Sequence, residues 1–418
     1  MYSDIRKTGE IQTSDPALNQ LISNIFWGQR DNFLDVPTDC PQRDERMGYT
    51  GDGQVFALTG AYNFNTDAFW KNFLRDLELG QLDNTEGYVC ATVPQTGPAG
   101  IGFISMLGWG NAVTILPEMM YRQFGDEEAL PRQYESMKLF VEAEIRKMGK
   151  KNLWIGPSLG DWLAMGKGIA WQAMHNNPVS NAFIVHDLKV ISETAERLGK
   201  REDAARYRRQ LAATTDAYIK KFVSKNGIVA KDYQSAYIMA LKYVLPEGEL
   251  RERVRKNFVA NIRKNGLQTG FFATEHLLPL LVEAGEQKLA YDVLLQENCP
   301  GWMYQVKCGA TTTWERWDAL KPDGTVNEEK MAGSGENMVS FNHYAFGSVG
   351  EFYYQYILGI RPEKPGFAKL HFAPYPDERL GGVSGSYLSV AGKIASAWRY
   401  EPDGCHIRLV TPVEEVVL

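Results

Sequence analysis

Between Phe33 and Asp52 the chain reads FLDVPTDCPQRDERMGYTGD, which sets Asp35, Asp39, Asp44, Glu45 and Asp52 around Arg43 and Arg46. Pro37, Pro41, Gly48 and Gly51 interrupt any regular element, so the segment reads as a loop of fixed shape. Carboxylates at this density repel one another, and partial burial adds to the effect, pushing at least one toward protonation near neutral pH. A carboxylic acid in that state can donate a proton to a reacting group. The same composition also suits a solvated acidic loop pinned by two arginines, so the segment does not decide the matter alone.

A second carboxylate stands far downstream in GATTTWERWD, residues 309–318, where Glu315 is flanked by Trp314 and Trp317. Tryptophan neighbours would desolvate a carboxylate in part and fix its position. Two opposed carboxyl groups are the minimum equipment for cleaving a glycosidic bond: one protonates the leaving oxygen, the other activates water or attacks the sugar. Tyr49, Trp109, Trp154, Trp162, Trp171, Trp302, Trp314 and Trp317 fall mostly in or beside irregular stretches, which suits stacking on the apolar faces of sugar rings. Filling core is the competing role for each of them. His175, His186, His276 and His343 are too scattered for a metal-ligand spacing. His343 is expected to open the last helix and to reach the cleft. The absence of GxSxG, Walker and dinucleotide glycine patterns disfavours acyl, phosphoryl and hydride transfer.

The totals narrow the partners. A net charge of −6 over 418 residues argues against nucleic acid. No window approaches the roughly 18 consecutive apolar residues of a membrane span. Five cysteines, an odd number without a metal-knuckle spacing, indicate neither a disulfide framework nor a structural zinc site. A reducing, cytoplasmic setting is the simplest expectation, with a periplasmic or secreted one if a signal segment precedes this sequence. The opening MYSDIRKTGEIQTSDP lacks the layout of a signal peptide and reads like a chain entered partway.

The elements that must position these residues are mostly helical. Ser14-Asp15-Pro16 predicts a helix start, followed by Leu18, Leu21, Ile22, Ile25 and Phe26 on one face. Further helices are expected from near Asp52, after Asn65-Thr66-Asp67 (Phe69, Phe73, Leu74 and Leu77 inward), and over 109–124, 127–148, 180–198, 202–223, 233–244, 247–264, 273–284, 286–297 and 341–358. Residues 83–108, 149–179 and 299–340 are expected to be irregular and functional, the first and second setting substrate choice. About twelve helices in antiparallel pairs can close into an (α/α)6 barrel, with long loops gathered at one rim. A solenoid of helix pairs fits the count equally well. After residue 361 short alternating runs replace the helical period, so a helical domain over 1–361 and a small antiparallel β-sandwich module over 362–418 are expected.

The motifs DVPTDCPQRDERMGYTGD, GWGNA (108–112), LGDW (159–162), GATTTWERWD and SFNHYAFGSVGE (340–351) together resemble the catalytic core of bacterial α-L-rhamnosidases, glycoside hydrolase family 78, over nearly the whole chain. The resemblance implies an (α/α)6 barrel and hydrolysis with inversion, which needs acid and base roughly 6.5–9.5 Å apart. It implies Glu45 as general acid and Glu315 as general base. Asp39, Arg43 and Asp52 would hydrogen-bond the rhamnose hydroxyls, and Trp109, Trp162 and His343 would line the sugar pocket. Tyr49 stands where tryptophan is commoner, and Asn111 where GWGDA would carry an aspartate, taking a charge from near the cleft. The implied substrates are rhamnose-containing oligosaccharides or glycosides, with no nucleic acid and no membrane. No cofactor or metal is required by such chemistry, and a structural calcium ion is compatible with it. The rival expectations are a six-hairpin glycosidase acting on another sugar, such as a glucoside or unsaturated uronide, and a carbohydrate-binding protein without turnover.

Overall fold

The computed structural model describes residues 3–43, 45–95, 106–328 and 339–418. Asp44 and parts of the first and third expected irregular stretches lie outside the described residues. After a short strand β1 (Gly9–Thr13) the chain enters α1 (Pro16–Asn32), α2 (Thr50–Asn63), α3 (Asp67–Leu82), α4 (Ala112–Phe124) and α5 (Ala129–Met148). The short α6 (Ile169–His175) leads to α7 (Asn177–Arg197), α8 (Arg201–Phe222) and α9 (Gln234–Met239), which runs on into a π turn, Ala240–Val244. Then come α10 (Glu249–Asn265), α11 (Phe271–Glu283), α12 (Gln287–Leu294) and the short α13 (Trp302–Lys307). The final helical segment is composite: a 3-10 turn at Ala345–Val349, α14 (Gly350–Phe352) and a π turn at Tyr353–Ile357.

Two kinds of helix alternate along the chain. α1, α3, α5, α8 and α10 each bury one face and leave the other polar. α2, α7, α9 and α11 are buried on nearly all sides. A helix apolar or small-residued all round has to sit inside, whereas an amphipathic one can cover it. The inner set closes on itself: α2 meets α4, α4 meets α7, α7 meets the π turn after α9, α9 meets α11, α11 meets Ala345–Val349, and that turn returns to α2. This is the (α/α)6 ring, and the open solenoid is ruled out by its closure.

β1 lies far ahead of residue 361, where the alternating runs were expected to begin. It pairs antiparallel with β4 (Gly382–Ser389), Thr13 facing Val383, and begins a four-stranded sheet completed by β5 (Gly392–Glu401) and β6 (Gly404–Val410). A second sheet holds β2 (Ile360–Lys364), β3 (Lys369–Phe372) and β7 (Val416–Val417), with β3 and β7 parallel. Tyr62 of α2 stacks on Tyr354 at 4.7 Å and meets Tyr387 of β4 edge-on. Trp398 donates to the carbonyl of Ile357 at 2.7 Å, so ring and sheets share one core.

Several boundaries differ from the periodicity. Within the expected start Ser14-Asp15-Pro16, Asp15 caps α1, accepting the N–H groups of Ala17 and Leu18. Two short helices, α6 and α13, lie inside stretches expected to be irregular. The last helical segment starts at Ala345, so His343 stands in the preceding loop rather than opening it. Most of the loop tryptophans are core: Trp154, Trp302, Trp314 and Trp317 are all buried. Trp302 and Trp317 pack edge-to-face and spend their indole N–H groups on the Phe346 and Thr269 carbonyls. Long connections here carry their own apolar anchors, which a count of loop aromatics cannot distinguish from exposed platforms.

Candidate active site

The loop between α1 and α2 is fixed at both ends before its carboxylates are considered. Phe33, fully buried, stacks on Phe69 at 4.7 Å and meets Phe56, Trp70 and Tyr344 edge-on. At the far end, Gly51 lies flat against the Trp109 ring: a Cβ there would come within 2.7 Å of it, so only glycine fits. Between these anchors the chain folds back on itself. Asp39 N–H donates to the Met47 carbonyl at 3.0 Å, Met47 N–H donates to Asp39 Oδ1 at 2.8 Å, and Arg46 takes a positive φ of 48° to make the turn.

Arg43 occupies the centre. Its Nη1 donates to Glu315 Oε2 at 2.9 Å and its Nη2 lies 3.3 Å from Glu315 Oε1, a two-pronged grip. The same Nη2 contacts Glu45 Oε2 at 2.6 Å and Asp39 Oδ2 at 3.2 Å. One guanidinium thus ties together three carboxylates drawn from two remote segments. Glu315 itself is set by the backbone, its N–H donating to the Ser340 carbonyl at 2.9 Å, while His343 N–H donates to the Thr313 carbonyl and the Thr313 hydroxyl to the His343 carbonyl.

The charges are arranged unequally. Burial pushes the Glu45 carboxyl up, with Asp39 and Glu315 adding repulsion; a hydrogen bond from the Tyr49 hydroxyl and the charge of Arg43 pull the other way, and the net direction is upward. Asp52 stands in the first turn of α2, where the helix dipole favours its negative form. Burial nevertheless raises it, against the pull of His343, whose Nε2 lies 3.1 Å from Asp52 Oδ1. His343 Nδ1 accepts the Ala345 N–H, so Nε2 carries the hydrogen that meets Asp52. Burial lowers His343, but the Asp52 hydrogen bond and charge outweigh it.

The aromatic side is built from Trp109, which meets Trp162 edge-on at 6.2 Å and Phe272 at 5.2 Å. Asp161 fixes that wall. Its carboxylate accepts the N–H groups of Gly270, Phe272 and Ala273 at 2.7, 2.8 and 3.1 Å, capping α11 from a loop far away in sequence. Gly270 permits the approach, since a Cβ there would lie 2.2 Å from the Trp162 carbonyl.

Glu45, Glu315, Asp39, Arg43, Tyr49, Asp52, His343, Trp109 and Trp162 are therefore brought together by one connected set of contacts. Asn111 does not join it. It is buried beneath Gly108 and donates to Asp187, with Glu144 at 3.4 Å, so the charge difference at this position falls inside the ring rather than in the cleft. Two contributors went unread in the sequence. Cys40 donates its S–H to Asp39 Oδ2 at 2.8 Å, and Asp161 acts through α11. Both stand within quoted motifs, which was the one available signal. Donor atoms of Asp39, Cys40 and Glu45 lie within 4.8 Å of one another, yet the guanidinium of Arg43 already fills that role of counter-charge.

Helical hairpins closed into a ring define the six-hairpin fold. The family model described as the bacterial alpha-L-rhamnosidase 6 hairpin glycosidase domain matches residues 6–357, and that for the C-terminal domain of the same proteins matches 359–416. An alpha-L-rhamnosidase of Formosa agariphila is 36% identical over 98% of this chain and 44% of its own length. The crystal structure of Streptomyces avermitilis alpha-L-rhamnosidase complexed with L-rhamnose superposes with a TM-score of 0.90 at 34% identity, over 99% of this chain and 38% of that one. Native alpha-L-rhamnosidase from Aspergillus terreus gives 0.91 at 31% identity, over 100% and 48%. The chain belongs to the bacterial α-L-rhamnosidase family. It spans less than half the length of each of these three relatives.

Proposed function

We propose that this chain hydrolyses terminal α-L-rhamnosides, with Glu45 as general acid and Glu315 as general base. The observation that carries the reading is the convergence of those two carboxyls on Arg43, one of them raised by burial and the other gripped in two-pronged fashion. A protonated Glu45 gives its hydrogen to the glycosidic oxygen as the C–O bond breaks. Glu315 takes a proton from water as that water's oxygen bonds to the anomeric carbon. The positive charge that develops on the sugar is met by the surrounding carboxylates, Asp39 and Asp52 among them. Asp39, Arg43, Asp52 and His343 offer hydrogen bonds to hydroxyls, while Trp109 and Trp162 offer an apolar wall. The Streptomyces relative, whose structure carries L-rhamnose, supports the choice of sugar.

One distance bears on stereochemistry. Arg43 Nη2 reaches Glu45 at 2.6 Å and Glu315 at 3.3 Å, so their nearest oxygens lie closer together than the roughly 6.5–9.5 Å spacing of an inverting pair. The inverting reading therefore requires Arg43 to leave the gap, exchanging carboxylate for sugar hydroxyls as water enters. Early proton NMR of the product decides it. β-Rhamnose appearing first from an α-rhamnoside is expected; α-rhamnose first would reassign Glu315 as nucleophile. Failure to cleave an α-L-rhamnoside while cleaving another nitrophenyl glycoside would overturn the substrate itself.

A further inference from the structure

The interior of the ring holds a second polar cluster that the proposed reaction does not use. Phe271, at the start of α11, packs against His343 at 5.1 Å. Four residues on, about 6 Å further along the helix, come Glu275 and His276. Glu351 approaches them from α14. One donor atom from each of Glu275, His276 and Glu351 lies within 4.8 Å of the other two. His276 and Glu351 are 4% and 5% exposed, whereas Glu275 is only half-buried.

The cluster is short of partners. Neither His276 Nδ1 nor Glu351 Oε2 has a hydrogen bond, although both atoms are buried. His276 Nε2 meets the Tyr243 hydroxyl at 3.0 Å and lies 3.8 Å from Glu275 Oε2. Among the described residues no lysine or arginine stands within ion-pair distance of Glu275 or Glu351. Lys242, on the π turn, faces them from an exposed position without pairing. Buried carboxylates side by side need a counter-charge or a shared proton, because the interior does not solvate two negative charges. A shared proton would join the two carboxyls but leave the buried Nδ1 of His276 without a partner.

We propose that Glu275, His276 and Glu351 form a structural binding site for a divalent cation of the Zn2+ or Mn2+ class, separate from the rhamnose pocket. Two carboxylates with one imidazole suit those ions, whereas Ca2+ and Mg2+ favour oxygen donors alone. Metal–ligand bonds of about 2.0–2.2 Å require the three donors to draw together by about an ångström, within reach of two glutamate side chains. Bound there, the ion links α11 to α14, adjacent segments of the inner ring, and braces the wall on which Phe271 and His343 rest.

The test uses the full chain, stripped with chelator and then titrated with ZnCl2, MnCl2 or CaCl2 alone, read by calorimetry and by thermal unfolding. The proposal expects one equivalent of Zn2+ or Mn2+ to bind and raise the unfolding temperature, with calcium far weaker. Glu351→Gln should weaken binding about tenfold or more, at least the loss seen when a ligand's support is removed. Should that variant not fold, Glu275→Gln at the half-buried edge carries the same expectation. Absence of any zinc- or manganese-dependent shift in the parent chain overturns the site, as does equal affinity in a folded variant. Neither readout depends on rhamnoside cleavage, so this idea and the assigned activity fail separately.

Discussion

The hydroxyl of Tyr49 donates a hydrogen bond to Glu45 Oε1, one turn of chain away, and so opposes the very protonation that burial promotes. The tyrosine thus shapes the acid's environment as well as offering a stacking surface. Tyr49→Phe removes a donor that favours the carboxylate, so the proton is held to higher pH. The alkaline limb of the kcat/KM profile for a rhamnoside should move upward. An unchanged or lowered limb would show that Glu45 does not set it.

Glu45→Gln keeps the shape and loses the transferable proton. Turnover should fall on the order of a hundredfold or more on rhamnosides with poor leaving groups, the low end of general-acid contributions. Aryl rhamnosides with activated leaving groups should suffer less. A uniform loss across leaving groups would point to disruption of the loop and not to proton transfer.

Arg43→Lys retains the charge but not the fork. A lysine cannot grip Glu315 with two nitrogens while also reaching Glu45 and Asp39. Steady-state kcat/KM should drop about tenfold or more, the scale of a lost charge-assisted hydrogen bond. Near-normal kinetics would mean the three-way contact is dispensable.

Asp161→Ala strips three buried N–H groups of their acceptor at the start of α11. Stability should fall by at least about 1–3 kcal/mol, the cost of a single unsatisfied buried donor, read as a lower urea midpoint. Asn111→Ala, away from the sugar, should change stability without altering KM for a small rhamnoside.

His186 and Glu118 meet at 3.0 Å inside the ring, with Asp187 at 3.8 Å from the other ring nitrogen and Tyr243 packed across the imidazole. Burial lowers His186, but the negative charge of Asp187 and Glu118, with the hydrogen bond it donates to Glu118, raises it to about 9. Glu118, raised by burial and lowered more by His186, falls to about 2. The histidine's contribution is complete below about 6.5 and fades as pH climbs through 9; the glutamate's is complete above about 4.3 and fades as pH drops toward 2. The parent chain should therefore lose more unfolding temperature between pH 6.5 and 9 than Glu118→Gln does. Parallel curves would dismiss the pair as a source of stability.

The helices were legible from their apolar stripes, but ring and solenoid fitted the count equally well; closure depends on which inner helices meet, and only the family resemblance pointed to it. The acidic loop was legible because prolines and glycines bracket closely spaced carboxylates. Harder to read were features created by return paths of the chain. Trp302 and Trp317 looked like loop platforms, yet each finds a backbone acceptor in the core. Asp161 caps a helix it precedes by a long interval, and no local period announces that. Glu275 and His276 look like unremarkable neighbours on α11 until Glu351 arrives beside them. The helix expected from 341 began at 345 because Thr313 and His343 pair their backbones first.

β1 joins the first residues of the chain to a sheet made otherwise from the last ones. On a ribosome, β4 must wait for no partner on that side, since Gly9–Thr13 has long since emerged; the delay lies wholly with the late strands. Severed at the junction near residue 358, the C-terminal piece would carry β4 as a bare edge, with unclaimed N–H and C=O groups inviting association with its own copies. The two halves are thus a single folding partnership, and cutting between them should yield sticky fragments rather than two tidy ones.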